Sequence, residues 1–164
     1  LLLLSKPRDV QYQLVDLNHV LDDIMPIVRS EALLHGIEVV EHLDGKLPMV
    51  IGDSELLKQV FLNICKNGIE AMKDGGTLTL RVYKDSRYGI FEVRDTGVGM
   101  TKEELKQLGM PYFTRKEKGT GIGLTVCWQI ISRMNGKIEV ESEKGKGTVF
   151  RIKVPLEKGE VSGS

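Results

Sequence analysis

The sequence predicts an α/β fold: a two-layer sandwich in which one mixed, mostly antiparallel sheet carries helices packed on one face. Three observations predict it. Three segments repeat apolar residues at helical spacing, and two pairs of alternating runs flank short polar turns. These helices and hairpins are interleaved along the chain, an order that buries one face of a single sheet. The third observation is an aliphatic-poor, glycine-rich stretch from Asp95 to Gly123. A connection that long within a compact domain is usually functional, so it is expected to be a ligand-binding loop or lid.

Residues 1–14 (LLLLSKPRDVQYQL) read as the end of a preceding helix followed by a linker, with Pro7 helping to enforce the break. The domain proper is expected over 15–156, and the polar residues 157–164 as a disordered tail. Asp16 or Asn18 offers a cap to a first helix whose stripe runs Val20, Leu21, Ile24, Ile27, Val28, Ala32 and Leu33. Pro26 falls inside it and is expected to kink it or mark a restart. Gly36 closes this helix, and Ile37–Leu43 reads as a strand. Asp53 caps a second helix over 54–72, ended by Asp74-Gly75-Gly76. Residues 77–83 and 88–94 alternate around a turn at 84–87, and 102–108 is a short helix candidate. A third helix over 122–134 ends at Asn135-Gly136, a good stop signal. Strands over 137–142 and 148–154 flank the turn 143–147, and Pro155 closes the fold.

The chain has 164 residues, with 23 basic against 23 acidic side chains, and a neutral chain has no global electrostatic reason to coat nucleic acid or an anionic membrane. Leu1–Leu4 is far short of the ~20 apolar residues of a membrane span. No direct membrane contact is expected, although a longer parent could be anchored in the cell membrane. Cys65 and Cys127 lie in apolar helical patterns and imply no disulfide framework, which favours a reducing, cytoplasmic setting. His19, His35 and His42 have no ligand spacing and no acidic residue at the next position.

Four motifs carry chemistry. Asn63 and Asn67 are four apart on the second helix, continuing a stripe that begins with Leu56 and Val60. A buried amide without partners costs about 1–3 kcal/mol, so these two need either an internal network or a polar ligand or hydrated cation. Asp95-Thr96-Gly97-Val98-Gly99 ends a strand with a carboxylate, suited to recognising an amino group, and two glycines that allow close approach. Asp-Thr-Gly is also the aspartic-protease triplet, but such sites need two carboxylates and the triplet occurs once here. Gly119-Thr120-Gly121-Ile122-Gly123-Leu124 runs straight into a helix, where consecutive amides and the dipole form an anion site. Its spacing matches neither the dinucleotide fingerprint nor the P-loop, and Arg115, Lys116 and Lys118 tilt it toward polyphosphate. Gly145-Lys146-Gly147-Thr148 alone signals a hairpin.

Together, in this order, these elements resemble the ATP-binding domain of sensor histidine kinases, in the superfamily with gyrase, Hsp90 and MutL that shares the Bergerat fold. The second helix resembles the N box, Asp95–Gly99 the G1 box, Pro111–Lys116 the F box, Gly119–Leu124 the G2 box, and Gly145–Thr148 the third glycine motif. The likeness covers about residues 15–156, with a flavour of the Bacillus sporulation kinases; Arg115 replaces a threonine common in related F boxes.

The resemblance implies that Asp95 binds the adenine amino group, Gly97 and Gly99 leave room beside the base, and Thr148 holds a water at its rim. It implies that Asn67 supplies an amide oxygen to Mg²⁺, while Asn63 steadies the phosphates or the metal's waters. Gly119 and Thr120 belong to the loop in which the amides of Gly121, Gly123 and Leu124 cradle the phosphates of ATP. Lys116 sits near the terminal phosphate, and residues 101–120 form the lid. Asn63 and Lys116 are thus the catalytic candidates. ATP-hydrolysing members carry a glutamate where this chain has Asn63, and an amide is no general base. Phosphoryl transfer to a histidine on a separate dimerisation domain is therefore expected, followed by a response regulator, with the fragment monomeric and its parent dimeric. The alternatives are an ATPase conformational switch and an anti-sigma-type serine kinase.

Overall fold

The computed structural model describes residues 9–108 and 120–158, with 120–123 described by backbone alone. In chain order the elements are β1 (Gln13–Asp16), α1 (Leu17–Leu34), β2 (Ile37–Leu43), β3 (Met49–Gly52), α2 (Ser54–Glu70) and β4 (Gly76–Lys84). They continue with β5 (Tyr88–Asp95), α3 (Lys102–Leu108), α4 (Thr120–Arg133), β6 (Lys137–Glu143) and β7 (Gly147–Pro155). Five strands form one sheet in the order β2-β4-β5-β7-β6, with only β2 parallel to its neighbour. No helix among the described residues is long and apolar enough to cross a membrane.

Register sorts the sheet's side chains into rows. On the helix-facing side, Val82, Phe91, Ile152 and Ile138 align across β4, β5, β7 and β6, and Leu80, Val93, Phe150 and Val140 form the next row. Phe61 of α2 stacks on Phe91, ring centroids 3.9 Å apart, which seats α2 over the middle of the sheet. The third row, Leu78, Asp95, Thr148 and Ser142, turns polar where the sheet ends. That change of chemistry along one face positions the site described below.

The opposite face carries no helix among the described residues and is built differently. Arg81, Glu92, Arg151 and Glu139 alternate in charge across the strands, the favourable arrangement for cross-strand neighbours. Glu92, only 3% exposed, accepts from the Tyr83 hydroxyl and from Arg151 Nε, both at 3.0 Å. Arg81 and Arg94 stand 3.7 Å from its other oxygen, and Arg151 also binds Glu141. Burial alone would raise the Glu92 pKa; the Tyr83 hydroxyl and Arg151 outweigh it and hold the group below its ordinary value of 4.5.

Caps set the helix ends. Asp16 accepts from the Asn18 amide at the start of α1, and Asp53 from the Glu55 and Leu56 amides of α2. The seven-residue α3 opens on a reciprocal box, the Thr101 amide to Glu104 Oε1 and the Glu104 amide to Thr101 Oγ1. Asn135 at φ 61° ends α4, and Gly36 at φ 66° follows α1.

Four expectations are corrected. Helix α1 runs unbroken through Pro26, because the proline lies on its exposed side while Leu17, Leu21, Ile24, Met25 and Val28 hold both halves to the core. Ile27 and Leu33 are exposed, and Met25 takes a core place instead. Helix α4 begins at Thr120 rather than Ile122, taking Thr120 and Gly121 into its first turn. Strands β1 and β3 lacked a sequence signal; each is four residues long, they pair antiparallel with each other, and Val50 of β3 also bridges to Leu156. β1 takes in Gln13 and Leu14, two residues upstream of the boundary expected near Val15. The Gln11 amide reaches Asp53 Oδ2 at 2.9 Å, and the Tyr12 hydroxyl donates to the Arg133 carbonyl.

Removing the hub of the open face should expose its value. Glu92→Ala is expected to destabilise the domain by about 1–3 kcal/mol, since it leaves the half-buried Tyr83 hydroxyl and Arg151 guanidinium without their acceptor, with an unchanged denaturant m-value. Because the folded pKa is depressed, the deficit should be full at neutral pH and shrink as pH falls below 4.5. Urea titrations at several pH values measure it.

Candidate functional site

The last residue of β5, Asp95, is 4% exposed although it lies at the open end of the sheet. Its Oδ1 accepts from the Gly97 amide at 2.8 Å. Burial pushes its pKa up to about 6, with the Gly97 and Thr148 amides pulling the other way. A carboxylate that is buried, bonded by backbone amides and faced by no cation in the described structure is prepared for a donor arriving from outside.

Asp95 and Thr148 line a cavity between the sheet and the helices, walled by Met100, Leu108, Leu124 and Phe150 and closed on one side by Asn67 and Ala71 of α2. Five sequence-predicted residues, Asn67, Asp95, Gly99, Leu124 and Thr148, therefore meet in one mostly apolar chamber. Asn63, one turn before Asn67, is not in that lining. Its Nδ2 donates to Cys127 Sγ on α4 at 3.3 Å, and burial pushes the thiol up to about 12, so it stays neutral. Thr120, Gly121 and Gly123 form the first turn of α4, just before Leu124. The amides of a helix's first turn lack intrahelical partners, which is the general basis of the anion site expected at this end of α4. Arg115, Lys116 and Gly119, and most of the expected lid, lie outside the described residues.

The glycines act through close contact of backbones. A Cβ on Gly97 would sit 2.4 Å from the Ala71 carbonyl oxygen, and one on Gly99 (φ 70°) 2.0 Å from that of Glu143. One on Gly147 (φ 104°) would sit 2.1 Å from the Asp95 carbonyl oxygen. Hydrogen bonds close the same junctions: the Val98 amide to the Ala71 carbonyl at 3.1 Å and the Gly145 amide to the Val98 carbonyl at 2.7 Å. Gly97 and Gly99 thus seat the segment after β5 closely between α2 and the β6–β7 turn, and Gly99 also lines the chamber. Gly68, not singled out from sequence, lets α2 approach; a Cβ there would meet Leu78 at 2.9 Å and Asp95 at 3.5 Å.

Ser142 also escaped notice. It stands opposite Thr148 one residue before the end of β6, accepts from the Met100 amide at 2.8 Å, and contacts the Gly147 carbonyl and Thr148 Oγ1. Nothing near it in sequence marks it; only the β6–β7 register does. Among the described residues, no group of three His, Cys, Asp or Glu side chains could hold a metal ion.

Fold and site together define an α/β sandwich with a mostly apolar chamber, marked by one buried carboxylate and one amide, at one end of its sheet. The chain belongs to the family of histidine kinase-, DNA gyrase B- and HSP90-like ATPases, which matches residues 52–158. It is similar to sporulation kinase C of Bacillus subtilis (strain 168), at 42% identity over 95% of this chain and 37% of that protein. Sporulation kinase E of the same organism is 39% identical over 94% of this chain and 21% of its own length. The chain thus spans well under half of these curated relatives. Among solved structures, the catalytic domain of histidine kinase ThkA shares the fold with a TM-score of 0.79 and 26% identity, over 88% of this chain and 97% of that one.

Two outcomes follow from the site's geometry. Asp95→Asn is expected to stabilise the empty domain by about 2 kcal/mol at pH 7.5, because it removes a buried charge. The wild-type group is raised from 3.8 to about 6, so its stabilising contribution is complete below 3.8 and lost as pH rises through 6. The gain of Asn over Asp should therefore vanish near pH 4, which denaturant titrations at the two pH values test. Gly99→Ala forces a side chain into positive φ against a carbonyl and should cost about 2 kcal/mol or more, read as a lowered Tm.

Proposed function

We propose that this chain is the ATP-binding catalytic domain of a sensor histidine kinase of the sporulation-kinase type. The observation that carries the reading is Asp95, a buried carboxylate that faces no cation among the described residues and opens on a chamber that also holds Asn67 and Leu124 of α4. A buried acceptor here rewards a purine bearing an amino group and penalises one bearing a carbonyl, which would leave two acceptors face to face. Met100, Leu108 and Leu124 supply the apolar walls for the ring.

The triphosphate would run from this chamber along α2 to the first turn of α4, where the amides of Gly121, Gly123 and Leu124 meet its charge. Asn67 fits a cation that arrives with its ligand: it offers one amide oxygen, and the described residues add no carboxylate or histidine cluster to strip the ion's waters. Magnesium, when bound, neutralises charge on the β- and γ-phosphates. Asn63 is held toward α4 by Cys127, and as an amide it takes no proton from water. The chain therefore binds, orients and shields, with Lys116 proposed to face the terminal phosphate. The acceptor is a histidine ring nitrogen on a dimerisation domain; its N–P bond forms as the bond from the γ-phosphorus to the bridging oxygen breaks and ADP leaves. A response regulator would receive the phosphoryl group next. The reading places the domain in the cytoplasm, with neither nucleic acid nor membrane as its ligand.

Calorimetry should detect Mg-ATP binding to the wild type and a loss of at least ten-fold in Asp95→Ala. Mixed with a histidine-bearing dimerisation domain and γ-labelled ATP, the chain should deposit acid-labile phosphate on that partner. Asn67→Ala should slow the transfer by about 10²-fold. Acid-stable label would indicate a serine kinase, and steady phosphate release by the chain alone an ATPase switch; either overturns the reading.

A further inference from the structure

We infer that Ser142 is a specificity-positioning residue: it locks the Thr148 hydroxyl as a pure acceptor beside Asp95, so that the chamber presents two adjacent acceptors to the 6-position of a purine. The inference rests on the nucleotide-binding reading and deepens it.

The argument is a count of protons. Ser142 Oγ makes three contacts: the Met100 amide at 2.8 Å, the Gly147 carbonyl oxygen at 2.9 Å and Thr148 Oγ1 at 2.7 Å. The Met100 amide only donates and the Gly147 carbonyl only accepts. Ser142 has one proton. If it went to Thr148, Ser142 Oγ and the Gly147 oxygen would stand 2.9 Å apart as two acceptors without a hydrogen between them. Only one assignment makes all three contacts hydrogen bonds. Ser142 donates to Gly147, and Thr148 donates to Ser142.

With its proton committed, Thr148 Oγ1 offers lone pairs alone. Thr148 is 6% exposed, lines the same chamber as Asp95, and is its register partner across β5 and β7, with both side chains on the helix-facing side. Two acceptors side by side suit the two hydrogens of an exocyclic amino group, directly or through a water. A 6-oxo purine meets acceptors at both positions. Were the Thr148 rotor free, it could turn and donate to that oxygen, relaxing half of the discrimination. Ser142 would thus act on the base without touching it, through a residue one strand away.

The test compares ATP with ITP, which differs at the 6-position and lacks the 2-amino group of guanine. Binding of each nucleotide is titrated calorimetrically with the full chain. In Ser142→Ala, the ratio Kd(ITP)/Kd(ATP) should fall about five-fold, the worth of roughly one hydrogen bond. Ser142→Thr, which keeps the hydroxyl, should restore the wild-type ratio. Thr148→Val should lower the ratio by itself, and adding Ser142→Ala to it should change the ratio no further. Equal weakening of both nucleotides in Ser142→Ala, with only a lower Tm, would mean a merely structural serine and overturn the inference. If Ser142→Ala fails to fold, the ratio in Thr148→Val decides; an unchanged ratio there overturns it. A wild type that binds neither nucleotide defeats the nucleotide-binding reading as well. A wild type that binds ATP while its variants hold the ratio constant defeats this inference alone.

Discussion

Withholding water from one carboxylate organises this end of the molecule. Asp95 ends β5 where a strand normally runs out into solvent, yet it is buried and its pKa is raised to about 6. Ionised, it costs the empty protein free energy, a strain that a ligand with a matching donor relieves. The surrounding architecture maintains that condition. Gly68 brings α2 against it, Gly147 brings the β6–β7 turn over its carbonyl, and Gly97 donates to its side chain.

The two faces of the sheet answer the same problem by different means. The helix-facing side is apolar through two rows and becomes polar only in the third, where Leu78, Asp95, Thr148 and Ser142 align. The other side has no helix above it among the described residues and is covered by its own charges, with Glu92 bound by Tyr83 and Arg151 and flanked by Arg81 and Arg94. This second face lets a two-layer domain stay thin. The helices are then free to serve one side only, and α2 and α4 can frame a ligand between them and the sheet.

Asn63 shows how neighbouring residues of one type divide. It and Asn67 share a helical stripe, and sequence reasoning left both open between a network and a ligand. Asn67 lines the chamber; Asn63 turns to Cys127 of α4. Asn63 therefore ties α2 to α4, with a neutral thiol for a partner.

Periodicity and punctuation were enough to read most elements, because helix and strand repeats are local and Asp53, Gly36 and Asn135-Gly136 act within a turn of themselves. Asn67 and Asp95 drew notice for the same reason, each standing in a short run whose chemistry is unusual for its element, whereas Thr148 lies in a run that alone signals a hairpin and was singled out only by the family resemblance. Strands β1 and β3 were not legible, since four residues carry little pattern and their partners lie far along the chain. The continuity of α1 through Pro26 was decided by core contacts that a local rule does not contain. The close contacts of Gly97 and Gly99, and the hydrogen bonds of Ser142, depend on which carbonyl or hydroxyl a distant part of the chain brings near. The sequence by itself determined the elements and the reactive groups, since those follow from neighbours along the chain; only the tertiary structure decided which groups face one another and which proton each must hold, because register and close backbone contact arise across it.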